Sequence, residues 1–175
     1  NLPTPLIISS ADDSGVLNAS TVMVPPANKA THIIKAVDSS GNTGSVYAQF
    51  AVIPNIILSD NICGAGEEIT VTGSGFAGSS LITIKLNSAL LPTPSVVTDS
   101  SGSFTVTINL PATITKGSYS ISAADTMGNE KSTSLTIKQS ISIDKGTGIV
   151  NDSITVNGAS FDAGVPVSIY FNNSI

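Results

Sequence analysis

Few side chains in this sequence could carry out chemistry, and most of them lack partners. There is one histidine, His32, so neither a histidine-based zinc site nor a Ser-His pair has a second candidate to draw on. Serines are abundant, but none sits in a nucleophile-elbow pattern. The carboxylate pairs Asp12-Asp13 and Glu67-Glu68 are adjacent in sequence. Neighbours on a strand point to opposite faces, so neither pair forms a shared acid–base site and both are expected in solvent. The single cysteine, Cys63, has no internal disulfide partner and reads as a small apolar side chain.

Two weaker chemistries remain. Asp60, Asp99, Asp125, Asn129 and Glu130 fall at the ends of strand-like runs, where carboxylates and loop carbonyls could converge on Ca2+. Their spacing does not match an EF-hand loop, and turn formation by aspartate is the competing explanation. No other cofactor or metal is expected. Asn-x-Ser sequons occur at Asn18, Asn151 and Asn172, about the number that chance supplies in a chain so rich in Ser, Thr and Asn.

The elements that would position these residues repeat. Lys116–Asp125 with Gly128-Asn129 aligns with Lys29–Asp38 and Gly41-Asn42, an offset of 87 residues. Ile69–Phe76 aligns with Ile154–Phe161 at an offset of 85, and Leu91-Pro92-Thr93-Pro94 repeats Leu2-Pro3-Thr4-Pro5 at 89. A period of this length marks recurring structural units. The alignment divides the chain into the later part of a unit (1–53), a complete unit (54–138) and the earlier part of another (139–175).

The complete unit alternates polar and apolar residues in Glu68–Thr72, Ile82–Leu86, Ser103–Ile108, Tyr119–Ala123 and Ser134–Ile137, the signature of half-buried antiparallel strands. Shorter runs near Ile56–Ser59 and Ser95–Thr98 bring the count to about seven, as in an immunoglobulin-type sandwich. Asp99-Ser100-Ser101-Gly102 and Asp125–Asn129 read as turns, and prolines 92, 94 and 111 fall between strands. No window has sustained helical periodicity. The alignment puts His32 at the place of Tyr119, a framework position of the tyrosine-corner kind.

Glu67–Phe76, Gly102-Ser103-Phe104 and Gly117–Asp125 with Gly128-Asn129 resemble tandem immunoglobulin-like repeats of bacterial and archaeal surface proteins, in particular the IPT/TIG-like group. The resemblance spans the middle unit and, piecewise, most of the rest. The first unit departs from it at Ala30-Thr31-His32 and in the poorly alternating Leu17–Thr21. It implies an all-β fold of tandem immunoglobulin-like β-sandwich repeats, about 87 residues per unit. It also implies service as stalks, spacers, adhesin segments or surface-layer blocks rather than catalysis.

Composition narrows the function in the same direction. Charged residues are only 11% of the chain and the net charge is −5, with no basic cluster to neutralise phosphates, so neither nucleic acid nor an anionic membrane is an expected partner. The longest apolar runs are too short to span a bilayer, and no export leader is visible in the sequence as it stands. A surface solvated by hydroxyls and amides suits secreted and cell-surface β-proteins.

The expectation is therefore a non-enzymatic structural repeat of an extracellular filament, surface layer or adhesin stalk, assembling end to end. Its partners would be copies of itself or adjacent repeats of the same polypeptide, head to tail. Half-units at the two ends fit either a window on a longer array, the preferred reading, or a protomer that exchanges half-domains. The alternative function is a carbohydrate- or protein-binding accessory module of a larger secreted protein. Against it stand an aromatic content of 5% and the absence of Trp.

Overall fold

The computed structural model describes residues 9–18, 21–43, 48–93 and 95–172, and among these every regular element is a β-strand. The chain-order strands are β1 (Ala30–Ile34), β2 (Ala48–Val52), β3 (Asn55–Leu58), β4 (Ile62–Cys63), β5 (Glu68–Ser74), β6 (Leu81–Leu86) and β7 (Ala89–Leu90). They continue with β8 (Val96–Val97), β9 (Phe104–Asn109), β10 (Gly117–Asp125), β11 (Glu130–Ile137), β12 (Ser140–Ile143) and β13 (Val156–Ala159).

Strands β3 to β11 build two sheets. One has the order β3-β5-β9; the other runs β4-β11-β10-β6-β7, with β8 also on β6. All pairings are antiparallel except β4 with β11. The two-residue alternation read from the sequence is what orients these strands. In β5, Ile69 and Val71 point inward while Glu68 and Thr72 face water, and in β9 Phe104, Val106 and Ile108 are buried with Thr105 and Thr107 outside.

Those inward residues meet across the two sheets in one core, to which β6 adds Ile82 and Ile84, β10 adds Ile121, and β11 adds Leu135 and Ile137. This is the arrangement of a β-sandwich. Phe76 and Phe104 pack edge to face, with ring centroids 5.5 Å apart. Phe104 lies over Gly73, its direct partner on β5, so tightly that a Cβ there would stand 2.0 Å from the ring. Burying side chains such as Val71, Ile121 and Leu135 stabilises the fold by about 1.5–3 kcal/mol each. Every member of the core lies between Ile56 and Ile137.

Each strand-like run expected in the middle segment is found, and two more strands join them. β4 and β7 have two residues each, too short to register as a periodicity. They form because neighbours lend them a ladder: Ile62 and Cys63 align beside Thr136 and Ile137, and Ala89 and Leu90 fold back on Leu86 and Lys85.

The flanking segments repeat backbone geometry at the offsets of the sequence alignment. β12 pairs with β13 from Ser140↔Ala159 to Ile143↔Val156, the register of Asn55↔Ser74 to Leu58↔Val71 moved by 85 residues. β1 pairs antiparallel with β2 as β10 does with β11, but the register differs by two residues: His32 lies opposite Phe50, whereas Tyr119 lies opposite Leu135 and not the Ile137 that an offset of 87 would give.

Left-handed residues recur as well, in the pairs Gly15/Gly102, Gly41/Gly128, Gly66/Asn151, Gly75/Ser160, Ser79/Gly164 and Asn87/Asn172. Four turns share one design. In Asp12–Val16, Asp38–Asn42, Asp99–Ser103 and Asp125–Asn129 the glycine N–H donates to the aspartate carbonyl and the aspartate N–H to the last residue's carbonyl. That is a type I turn closed by a left-handed glycine, the common three-residue hairpin connection. The Leu2–Pro5 copy, Pro94 and Asn173–Ile175 lie outside the described residues.

Candidate assembly surfaces

The reactive-looking residues are committed to local structure. The His32 ring Nε2 lies 3.0 Å from the Asn28 carbonyl, and a carbonyl only accepts, so this nitrogen carries the proton. Tyr119 Oη donates to the Thr115 carbonyl, also at 3.0 Å and also four residues back. Both rings thus pin the segment that leads into their strand.

Cys63 is buried beside the Asp60 carbonyl. Burial pushes its thiol upward, and the nearby Asp60 and Glu67 carboxylates add to that, which disfavours the nucleophilic thiolate. Asp12, Asp13, Glu67 and Glu68 are exposed, as expected. Asp12 also receives N–H donors from Ser14 and Val16.

The residues considered for calcium fall at strand ends. Asp60 accepts from the Ile62 N–H, and Asp99 from the Ser101 and Ser103 N–H groups and the Ser101 hydroxyl. Hydrogen bonding, the Ser103 N–H first, holds the Asp99 carboxyl below its ordinary value. Asp125 is nearly buried, which by itself would raise its pKa. Donors from the Ala77 N–H, the Asn129 side chain and N–H, and the Met127 N–H outweigh that and lower it.

Asp125 and Asn129 are therefore brought together, at 2.7 Å, while Glu130 is exposed at the start of β11. Among the described residues no three His, Cys, Asp or Glu side chains gather as a group that could hold a metal ion. The sequon asparagines 18, 151 and 172 are exposed, with Asn151 and Asn172 in left-handed turns. Ala19, Ser20, Asn173 and Ser174, which complete two of the sequons, lie outside the described residues.

Two sets of contacts link the flanks to the middle sandwich, and an aligned lysine takes part in each. At one junction the Lys29 N–H donates to the Phe76 carbonyl at 3.0 Å, and Lys29 Nζ reaches Asn129 Oδ1 at 2.5 Å. At the other, Lys116 Nζ pairs with Asp162 at 2.7 Å and the Ser160 hydroxyl donates to the Ile114 carbonyl at 2.8 Å. Lys116 aligns with Lys29, and Asp162 aligns with Ala77, the neighbour of Phe76. In both, the segment pinned by His32 or Tyr119 meets the loop that follows a β5-like strand. The sequence placed these lysines in register but carried no sign that they bridge, because their partners are distant in the chain.

Large apolar side chains stand exposed on the flanks where their aligned counterparts are buried. Ile34 is 42% exposed where the aligned Ile121 is fully buried. Ile169 is 66% exposed against 1% for Ile84, and Phe171 80% against 8% for Leu86. Leu17, Phe50, Ile141 and Ile154 show the same contrast with Phe104, Ile137, Ile56 and Ile69.

No family model and no curated protein matches the sequence.

Proposed function

We propose that the chain is a non-enzymatic structural segment of tandem immunoglobulin-like sandwiches, stacked end to end in an extracellular filament, surface layer or adhesin stalk. The middle sandwich supports the immunoglobulin-like part of the reading. Its β3-β5-β9 sheet faces a β4-β11-β10-β6 sheet whose first strand runs parallel to the next, and Tyr119 makes the corner bond. The recurrent hairpin turns and left-handed residues support the tandem part.

The observation that supports end-to-end stacking is that the aligned Lys29 and Lys116 each contact the loop after a β5-like strand, at Phe76 in one case and at Asp162 in the other. Repeat units that each contact only their neighbours build a linear array. Localisation outside the cell is supported by the charge-poor, hydroxyl-rich surface.

Electron microscopy of native material, combined with its intact mass, tests the proposal. Rods or sheets with a regular axial repeat are the expected result. Compact isolated particles, or selective retention on a glycan array, would instead favour the binding-module alternative.

A further inference from the structure

We propose that Lys29 and Asn129 become joined by an isopeptide bond, which the chain makes on itself with release of ammonia and with Asp125 carrying the proton. The inference does not depend on end-to-end stacking, because every reacting group belongs to one molecule.

The three side chains form a line. Lys29 Nζ stands 2.5 Å from Asn129 Oδ1, and Asn129 Nδ2 donates to Asp125 Oδ2 at 2.7 Å. An ionised carboxylate only accepts, which turns Nδ2 toward Asp125 and leaves Oδ1 for the lysine. With a C=O bond of about 1.23 Å, Nζ lies no farther than about 3.7 Å from the amide carbon. That is close to the roughly 3–3.5 Å of atoms poised to react.

The groups are also held in place. Asn129 and Asp125 are only 9% and 7% exposed, and the Ala77, Met127 and Asn129 N–H groups fix the carboxylate. The Lys29 N–H donates to the Phe76 carbonyl, and the His32 ring holds the preceding Asn28. An amine and an amide 100 positions apart in sequence therefore meet as a preformed pair, and their reaction is effectively unimolecular.

The step balances without any further reactant. Lys29 is exposed, so its ammonium gives one proton to water and presents a lone pair. The neutral amine adds to Cγ, forming the new C–N bond as the carbonyl electrons move onto Oδ1. Nζ and Nδ2 then share one carbon, and a carboxylate already bonded to one reaches both. Burial opposes ionisation of Asp125, but its hydrogen bonds overcome that, so the carboxylate is the form at hand. It takes the excess proton from Nζ and delivers it to Nδ2. The Cγ–Nδ2 bond breaks, the carbonyl re-forms, ammonia leaves and Asp125 ends as it began.

Related sites lack one part each. Asp38 and Asn42 repeat the carboxylate–amide bond at 2.7 Å in an exposed turn, but among the described residues no lysine bonds to that amide. Lys116, aligned with Lys29, pairs with the Asp162 carboxylate, which has no ammonia to lose. Of these positions only Asn129 has both the amine and the proton carrier.

The test is the intact mass of the folded 175-residue chain, followed by trypsin digestion. The mass should fall short of the sequence mass by one ammonia. The digest should contain one branched peptide, 1–35 joined to 117–131, with no cleavage after Lys29. Lys29→Arg keeps the charge but has no attacking amine, so it should restore the full mass and leave the melting transition of the middle sandwich in place. Asp125→Asn should also stay unlinked, and Lys29→Arg decides if that variant does not fold. An unmodified mass after prolonged incubation overturns the inference. So does an ammonia lost without the branched peptide, which is asparagine cyclisation, or a shortfall that persists in Lys29→Arg. Rods of full-mass chains would leave the stacking proposal intact and remove the cross-link, and a branched peptide from chains that form no rods would do the reverse.

Discussion

The Ala77 N–H donates to Asp125 Oδ2 at 2.8 Å, joining the loop after β5 to the turn after β10 across 48 positions of sequence. The same carboxylate accepts from the Met127 and Asn129 N–H groups and the Asn129 amide, in a site with little access to water. Asp125→Ala leaves those donors without their charged acceptor, and the expected cost is roughly 2–4 kcal/mol. Asp38→Ala removes the same turn bonds where water replaces them, so its effect should be a small fraction of that. Urea midpoints of the two variants check the contrast. Equal losses would mean that the loop–turn tie contributes nothing.

Acid should weaken the protein through the same turns. Hydrogen bonds to the ionised forms lower the folded-state pKa of Asp38 (Asn42 side chain first), Asp99 (Ser103 N–H first) and Asp144 (Thr155 N–H first). In Asp125 burial opposes the shift, and the donors led by Ala77 overcome it. A folded pKa below the unfolded one means that the unfolded chain takes up protons first as pH falls. The stabilisation is complete above the ordinary value of 3.8 and is lost as pH drops through the lowered folded values. Melting temperature should therefore be flat from neutrality to about pH 5 and fall below about pH 4. Asp125→Asn should flatten part of that fall. A melting temperature independent of pH down to about 2.5 would contradict the assignment.

At Asp99 and Asp125 calcium would compete with hydrogen bonds already in place. Asp99 and Asp125 would have to give up N–H donors that close their own turns before their oxygens could ligate an ion. Thermal melts with millimolar Ca2+ and with a chelator should superimpose. A chelator-dependent drop in melting temperature would show that carboxylates and carbonyls converge on an ion after all.

Much of this organisation was legible in the residues, for physical reasons that also explain what was not. Glu68–Thr72 and Phe104–Ile108 are recognisable because burying one face of a sheet forces polar and apolar residues to alternate. The role of His32 follows from its alignment with Tyr119, since both rings reach a carbonyl four residues back. The turn at Asp12 carries the Asp-x-x-Gly pattern of Asp99 and Asp125, yet the adjacent Asp13 makes it look like a carboxylate pair. β4 and β7 are held by neighbouring strands and leave no periodicity of their own. The lysine junctions are contacts between distant segments, and Lys29 looks like any exposed lysine until Asn129 and Phe76 are placed beside it.

Gly15 and Gly102 offer the most direct comparison between the first flank and the middle sandwich. Both are left-handed, with φ of 78° and 75°, and both close an Asp-x-x-Gly turn. A Cβ on Gly102 would stand 2.0 Å from the Phe76 carbonyl oxygen, whereas one on Gly15 would meet nothing within 4 Å. Alanine at either site carries the left-handed strain of about 1–2 kcal/mol. Only Gly102→Ala must also displace backbone, so it should cost at least about 2 kcal/mol more than Gly15→Ala by urea denaturation of the dilute chain. Gly15→Ala should cost only that left-handed strain. If it lowers folding stability as much as Gly102→Ala does in dilute solution, Gly15 is already enclosed within its own chain.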